Sequence, residues 1–216
     1  MRNLVFLCIW MVFSSQLKAQ TDPFLLGMTL GGGEINENQL PGQLNEHYQY
    51  PTEEEVDYYY QKGFRLITIP FRWERVQKNL GGDLDYGEIG EIRKVVTWAS
   101  NRNMQVILSM YNSGRYRKYG VDYIVGSYSV SRQDFADCWN KIANAFAGYP
   151  NIYGYNLMSE PHDMQAFDWQ TTAQWAISSI RQADRRSRII ISGNNYAAAE
   201  SWPDYSDALK YLNDPQ

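Results

Sequence analysis

Apolar and polar positions fall in blocks along this chain, short apolar runs of strand length alternating with longer stretches whose apolar residues recur at helical spacing. That succession predicts a βαβα order and therefore a parallel sheet covered by helices. A first strand is expected over residues 25–30, running into Gly31-Gly32-Gly33, and an acidic helix start at Thr52-Glu53-Glu54-Glu55 after a long polar stretch. A second strand is expected at Leu66-Ile67-Thr68-Ile69, stopped by Pro70 because proline cannot donate to a ladder. Residues 87–102 place Ile89, Ile92, Val95, Val96 and Ala99 on one helix face, and residues 105–110 read as the third strand.

Residues 111–130, rich in tyrosine, are expected to form a loop too long for a mere connector. Ser131 with Asp134 three residues on is a helix start, followed by Phe135, Cys138, Trp139, Ile142, Ala143 and Phe146 on one stripe. Cys138 sits on that stripe, which predicts a buried, inert thiol. A fourth strand is predicted over 152–158, then a helix capped by Asp168, a fifth strand over 188–192 and one more helix between 204 and 212. No sixth strand is visible in the pattern.

The 216 residues are 44% apolar and 15% aromatic, enough for a sizeable core and far from a disordered composition. The first residues change the picture. Arg2, an apolar run over 4–13 and Leu17-Lys18-Ala19 before Gln20 read as a signal peptide over 1–19, so a secreted or periplasmic protein is expected. Cleavage there would leave Cys138 as the sole cysteine, with no internal disulfide, and loss of Arg2 and Lys18 would lower the formal charge from −4 to about −6. An acidic chain without a basic cluster argues against nucleic acid as a partner, and no later run is long enough for a membrane span.

Candidate chemistry centres on Tyr155-Asn156-Leu157-Met158-Ser159-Glu160-Pro161, an apolar strand that runs into a carboxylate and is stopped by proline. In parallel α/β folds the C-terminal strand ends carry the ligand site. The three glycines at 31–33 lack the spacing of a phosphate loop and read as tight backbone at a strand end. His47 and His162 have no metal-ligand spacing with a cysteine, so neither a metal nor another cofactor is expected. Aromatic residues after strand ends, among them Trp73, Tyr111, Tyr116, Tyr196 and Trp202, could stack on sugar rings or pack loops.

Several segments, in order, resemble the first part of glycoside hydrolase family 5, the cellulase family. Gly27-Met28-Thr29-Leu30-Gly31-Gly32-Gly33-Glu34 resembles its first strand and loop, and Ile69-Pro70-Phe71-Arg72-Trp73-Glu74-Arg75 its second-strand motif. Tyr111-Asn112-Ser113-Gly114-Arg115-Tyr116 is similar to the family's His-Asn-Tyr-Gly-Arg-Tyr segment, and Glu160-Pro161-His162 to its Asn-Glu-Pro-His segment. The resemblance implies a (β/α)8 TIM barrel, present here to about its fifth strand over residues 20–216, that hydrolyses a β-linked polysaccharide or oligosaccharide with retention. It implies Glu160 as acid/base, and Trp73, Tyr111, Asn112, Ser159, His162 and Trp202 as substrate-binding residues. The family's nucleophilic glutamate lies near the seventh strand, so no nucleophile is expected in this chain, which reads as part of a longer frame or a truncated product. Glu34, Glu74 and Glu200 are the carboxylates expected at the same mouth. Thr68, Tyr111 and Ser159 stand where the family has Arg, His and Asn, which leaves two readings: a hydrolase with an altered substrate, or a non-catalytic carbohydrate-binding relic.

Overall fold

The computed structural model describes residues 24–215; the expected signal peptide lies outside the described residues. The elements are β1 (Gly27–Thr29), α1 (Glu53–Gln61), β2 (Leu66–Phe71), α2 (Trp73–Val76), α3 (Tyr86–Asn101), β3 (Gln105–Met110), β4 (Arg115–Lys118), β5 (Val121–Ile124), α4 (Arg132–Phe146), β6 (Ile152–Asn156), α5 (Ala166–Ala183), β7 (Arg188–Ile190) and α6 (Trp202–Tyr205). Two helix starts follow directly from sequence. Thr52 Oγ1 accepts from the Glu55 N–H at 3.2 Å while the Glu55 carboxylate accepts from the Thr52 N–H at 2.7 Å, and Ser131 and Asp134 repeat this reciprocal cap on α4.

The main sheet is parallel throughout, in the order β1-β2-β3-β6-β7. Each strand lies beside its predecessor, with β4 and β5 set apart as a hairpin. A doubly wound sheet reverses strand order at a switch point, whereas a barrel adds strands in one direction. The observed order is therefore that of five successive strands of a (β/α)8 barrel.

Register decides which side chains face the helices. Ile67, Ile69, Phe71, Val106, Leu108, Met110 and Tyr155 are buried on the outer face, where Phe71 and Tyr155 pack against Trp139 of α4 at ring-centroid distances of 6.0 and 5.9 Å. The inner face takes the intervening positions, and its polar members include Thr68, Ser109 and Asn156, the last two laterally paired. Cys138 is fully buried among the outer-face apolar groups, and burial pushes its thiol well above the ordinary value, as expected of an inert cysteine.

Three expectations need correction. The second strand runs through Pro70 to Phe71, because the Thr68 carbonyl accepts from Leu30 and so points to the β1 side, as does the equivalent face of Pro70. β1 has ended by that level, so the missing N–H costs no ladder bond. Residues 111–130 contain the β4–β5 hairpin, closed by Tyr119 and Gly120 with φ of 54° and 77°, the two left-handed positions that a two-residue hairpin turn requires. Asp168 does not cap α5; Gln165 holds that position, and Asp168 lies in the first turn, 2.5 Å from Arg132 Nη2.

The strand that leads to Glu160 is held from outside by Trp139, whose Nε1–H donates to the Leu157 carbonyl at 3.1 Å in a fully buried setting. Trp139→Phe keeps most of the packing and removes the donor. It should lower unfolding stability by about 1–3 kcal/mol in urea denaturation; an unchanged midpoint would show that this bond does not hold the strand end.

Candidate active site

The loops that follow β1, β2, β3, β6 and β7 meet at one end of the sheet. The loop after β1 is pinned there by arginines: Arg75 donates to the carbonyls of Gly33, Ile35 and Pro41 at 2.9, 2.7 and 3.0 Å, and Arg72 Nε to that of Glu34 at 2.8 Å. Gly33 permits this closeness, since a Cβ there would lie 2.7 Å from the Pro70 carbonyl oxygen, and at Gly32 one would collide with the Gln49 carbonyl. The glycine run is tight backbone at a strand end, as its spacing suggested.

Glu160 lies on the exposed rim with φ of 50°, four residues past the end of β6. The Ser159 N–H donates to the Met110 carbonyl at 2.8 Å, so the β6 extension stays beside β3 after the regular strand has ended. Tyr111 follows Met110 and is half-buried. Burial, then the negative charges of Glu160 and Glu34, push its phenol above the ordinary value, so the hydroxyl keeps its hydrogen and can donate. Tyr111 thus stands within electrostatic reach of two carboxylates at the same mouth.

Beneath Glu160 lies a neutral floor. Asn156 Nδ2 donates to Ser109 Oγ at 2.8 Å and to Ser159 Oγ at 3.1 Å, and the two hydroxyls are 3.0 Å apart. One serine donates to the other, which leaves one hydroxyl hydrogen in the cluster, while Asn156 Oδ1 is buried without a protein partner. The cluster can therefore offer one donor and one acceptor, the complement of a single hydroxyl group or water molecule.

The other expected ligand residues divide. His162 lies beside Glu160: its Nδ1 is 3.1 Å from the Glu160 carbonyl, a bond that requires the hydrogen on Nδ1 because a carbonyl can only accept, and its ring stacks on Tyr196. Ser159 is in the floor, 7% exposed. Trp202 is 41% exposed on the β7 side of the mouth, its ring against Gly193, where a Cβ would lie 2.7 Å from it. Trp73 does not face a ligand. The one-turn α2 folds its indole inward, 4.9 Å from Tyr116 and 5.6 Å from Phe135, with Nε1–H donating to Gln77 Oε1 at 2.9 Å. Asn112 is also spent internally, accepting from Trp73 N–H at 2.8 Å and donating to Glu74 Oε2 at 2.7 Å. Both side chains support the segments under the hairpin.

Glu74 joins these supports. Its other oxygen accepts from the Arg117 N–H of β4 at 2.6 Å, so one buried carboxylate ties α2, the loop after β3 and the hairpin together. Burial pushes its carboxyl above the ordinary 4.5, against the opposing pull of the Arg117 and Asn112 hydrogen bonds. Nothing in the residue pattern pointed to this structural role for Glu74 or singled out Ser109 and Asn156. For the latter two a signal was present: both are polar residues at inner-face positions near the C-terminal ends of largely apolar strands.

Compared with known proteins, residues 28–216 match the family described as cellulase (glycosyl hydrolase family 5). An endo-beta-1,4-glucanase B of Emericella nidulans is 32% identical over 202 residues, which cover 93% of this chain and 59% of that protein. Among solved structures, the Pseudomonas stutzeri endoglucanase Cel5A in complex with cellobiose is 35% identical with a TM-score of 0.81, covering 88% of this chain and 56% of its own. XacCel5A in complex with cellopentaose is 34% identical with a TM-score of 0.82, covering 88% and 61%. The chain thus spans about three fifths of the length of these relatives.

The raised Glu74 carboxyl has a definite consequence for stability. A folded-state value above the unfolded one contributes stability that is fully present below the unfolded value and is lost as pH rises through the folded one. The stability difference between the unaltered chain and Glu74→Gln should therefore favour the unaltered chain most below about pH 4.5 and shrink toward neutrality, in urea midpoints taken across pH. A difference that grows with pH would mean that Glu74 is held as a favourable anion.

Proposed function

The chain belongs to glycosyl hydrolase family 5, the cellulase family, and from that premise we propose that it is the acid/base-bearing part of a glycoside hydrolase acting on β-linked glucan. Glu160 is the residue proposed to protonate the leaving oxygen. What carries this reading is its placement: an exposed carboxylate on a left-handed backbone at the C-terminal end of a barrel strand, flanked by a Tyr111 phenol that stays protonated and by a buried floor with one donor and one acceptor to spare. The cellobiose and cellopentaose bound by the structural relatives suggest a β-linked gluco-oligosaccharide as ligand.

Hydrolysis with retention needs a second carboxyl about 5–5.5 Å from the first, to attack the anomeric carbon while Glu160 protonates the leaving group. In the second step Glu160 would take a proton from water, which releases the sugar from the enzyme. Glu74 is unsuited to the attacking role, since both of its oxygens are occupied in a buried site. Glu34 accepts from the Gly32 N–H at 2.7 Å, and Glu200 lies in a 3-10 turn beyond β7. The attacking carboxylate is accordingly proposed to come from a part of the protein beyond these residues, in keeping with the greater length of the relatives.

The neutral floor favours a second reading, saccharide binding without turnover, because Thr68, Tyr111 and Ser159 occupy positions at which charged or amide groups were expected. Reducing-sugar release from a soluble β-1,4-glucan, measured alongside cellopentaose binding, separates the two. In the protein extended to the full length of its relatives, Glu160→Gln should lower release by about 10²–10⁴-fold with binding kept within about threefold. Equal turnover in both would remove Glu160 from the mechanism, and binding with no turnover in either would select the second reading. Export is also proposed, on the strength of the apolar run over residues 4–13. Sequencing the mature N-terminus should find it near Gln20, and a retained Met1 would contradict export by cleavage.

A further inference from the structure

We infer that the open pocket between the loop after β1, the stretch after α2 and the tip of the β4–β5 hairpin binds the carboxylate of an acidic saccharide. The inference rests on the saccharide reading above and adds to it a second site and a charged class of ligand.

The pocket encloses about 610 Å³, within the usual range for small-molecule sites. Each of its walls is tied down by groups behind it. Arg75 Nε donates to the Pro41 carbonyl at 3.0 Å, the Tyr116 hydroxyl is shared between the carbonyls of Gln77 and Lys78, each at 3.0 Å, and Lys141 Nζ donates to those of Gly81 and Gly82 at 2.9 and 2.8 Å. Arg117 Nη1 donates to the Glu37 carbonyl at 2.7 Å and so joins the hairpin to the loop after β1. The fold therefore shapes this pocket without help from a ligand.

Charge decides what fits it. Of the described residues that line the pocket, three are cationic and one, Glu74, is a carboxylate. Two of the cations are matched, Lys78 by Asp85 and Arg117 by Asp122, each at 2.7 Å. Both Glu74 oxygens are taken, by the Asn112 amide and the Arg117 N–H. Lys118 remains. It is half-buried at the last rung of the hairpin, opposite Val121, with its ammonium 5.5 Å from the Tyr119 ring centroid, and among the described residues it has no carboxylate partner. The chain holds 24 acidic residues against 20 basic ones, so a half-buried lysine left unmatched beside a pocket is the complement of an incoming anion.

The rest of the lining selects a sugar acid among anions. The Asn38 and Asn79 side chains make no hydrogen bond among the described residues and offer donors and acceptors to hydroxyls, while Leu40, Pro41 and Leu80 form an apolar patch that suits the C–H side of a pyranose. A bare inorganic anion would leave both unused. Leu40, Glu74 and Arg117 also line a smaller pocket of about 270 Å³ whose far side is His162, the neighbour of Glu160. The two pockets adjoin, so a uronate unit can sit by Lys118 while the neutral part of the same saccharide extends toward the cleft.

Calorimetric titration of the intact chain with cellopentaose, and with cellopentaose whose hydroxymethyl groups are oxidised to carboxylates, tests the proposal. The carboxylated ligand should bind about three- to tenfold more tightly at low ionic strength, an advantage that fades in about 0.5 M salt. Lys118→Gln should abolish the advantage and leave cellopentaose affinity within about twofold, whereas Lys118→Arg should keep it. Lys94→Gln removes the same charge from an exposed helix position paired with Glu91, and should leave the advantage intact. Cellopentaose binding with no advantage for the carboxylated form would overturn the acidic site alone, as would an advantage that survives Lys118→Gln or falls equally in Lys94→Gln. Acetate competing mole for mole with the carboxylated sugar would overturn it too, by revealing a site for any small anion. Failure of the unaltered chain to bind either pentasaccharide would overturn this site and the saccharide reading together.

Discussion

The candidate site depends on one backbone bond, from the Ser159 N–H to the Met110 carbonyl at 2.8 Å. Beyond Asn156 the chain no longer has regular strand structure, and without that bond the segment carrying Glu160 would have no fixed place beside β3. The serine and asparagine side chains below repeat the same attachment, so that β3 and β6 are joined by backbone and side chain at the level where ligand chemistry is expected. From outside, Trp139 holds the preceding carbonyl; from above, His162 and Pro161 receive the turn after β7. Glu160 is exposed, but the segment that presents it is fixed from three sides.

Much of the architecture was legible in the chain. Helical periodicity around Trp139 and Ala173, the reciprocal caps at Thr52 and Ser131, and the apolar strand runs each report a local preference that packing then reinforces. The hairpin was not legible, because a Tyr-Gly turn between polar strands lacks the Asn-Gly or Asp-Gly signature and its pairing is fixed instead by Tyr116 beneath Trp73 and by Glu74. Pro70 misled for a related reason. Whether a missing N–H ends a strand depends on what lies opposite, which the sequence does not display.

The same distinction separates the site residues. Glu160 could be placed from its position after an apolar strand, and His162 from its nearness to it. Trp73 and Asn112 belong to segments that resemble the family's motifs, but the Trp73 indole bonds Gln77 and the Asn112 amide bonds Glu74 and the Trp73 N–H, so both serve as supports. Tyr196 was one of several aromatic residues expected after strand ends, with no motif to set it apart. Only its left-handed backbone and the stack on His162, features of three-dimensional placement, distinguish it from the other exposed tyrosines.

These relations lead to a cleft with a neutral floor and an exposed carboxylate on one wall, set on the rim of a parallel barrel sheet. The most direct test is a crystal structure of the Glu160→Gln chain with cellopentaose. The account predicts a glycosidic oxygen within hydrogen-bond distance of the residue 160 side chain. Saccharide bound elsewhere, with residue 160 out of reach of any glycosidic oxygen, would contradict it.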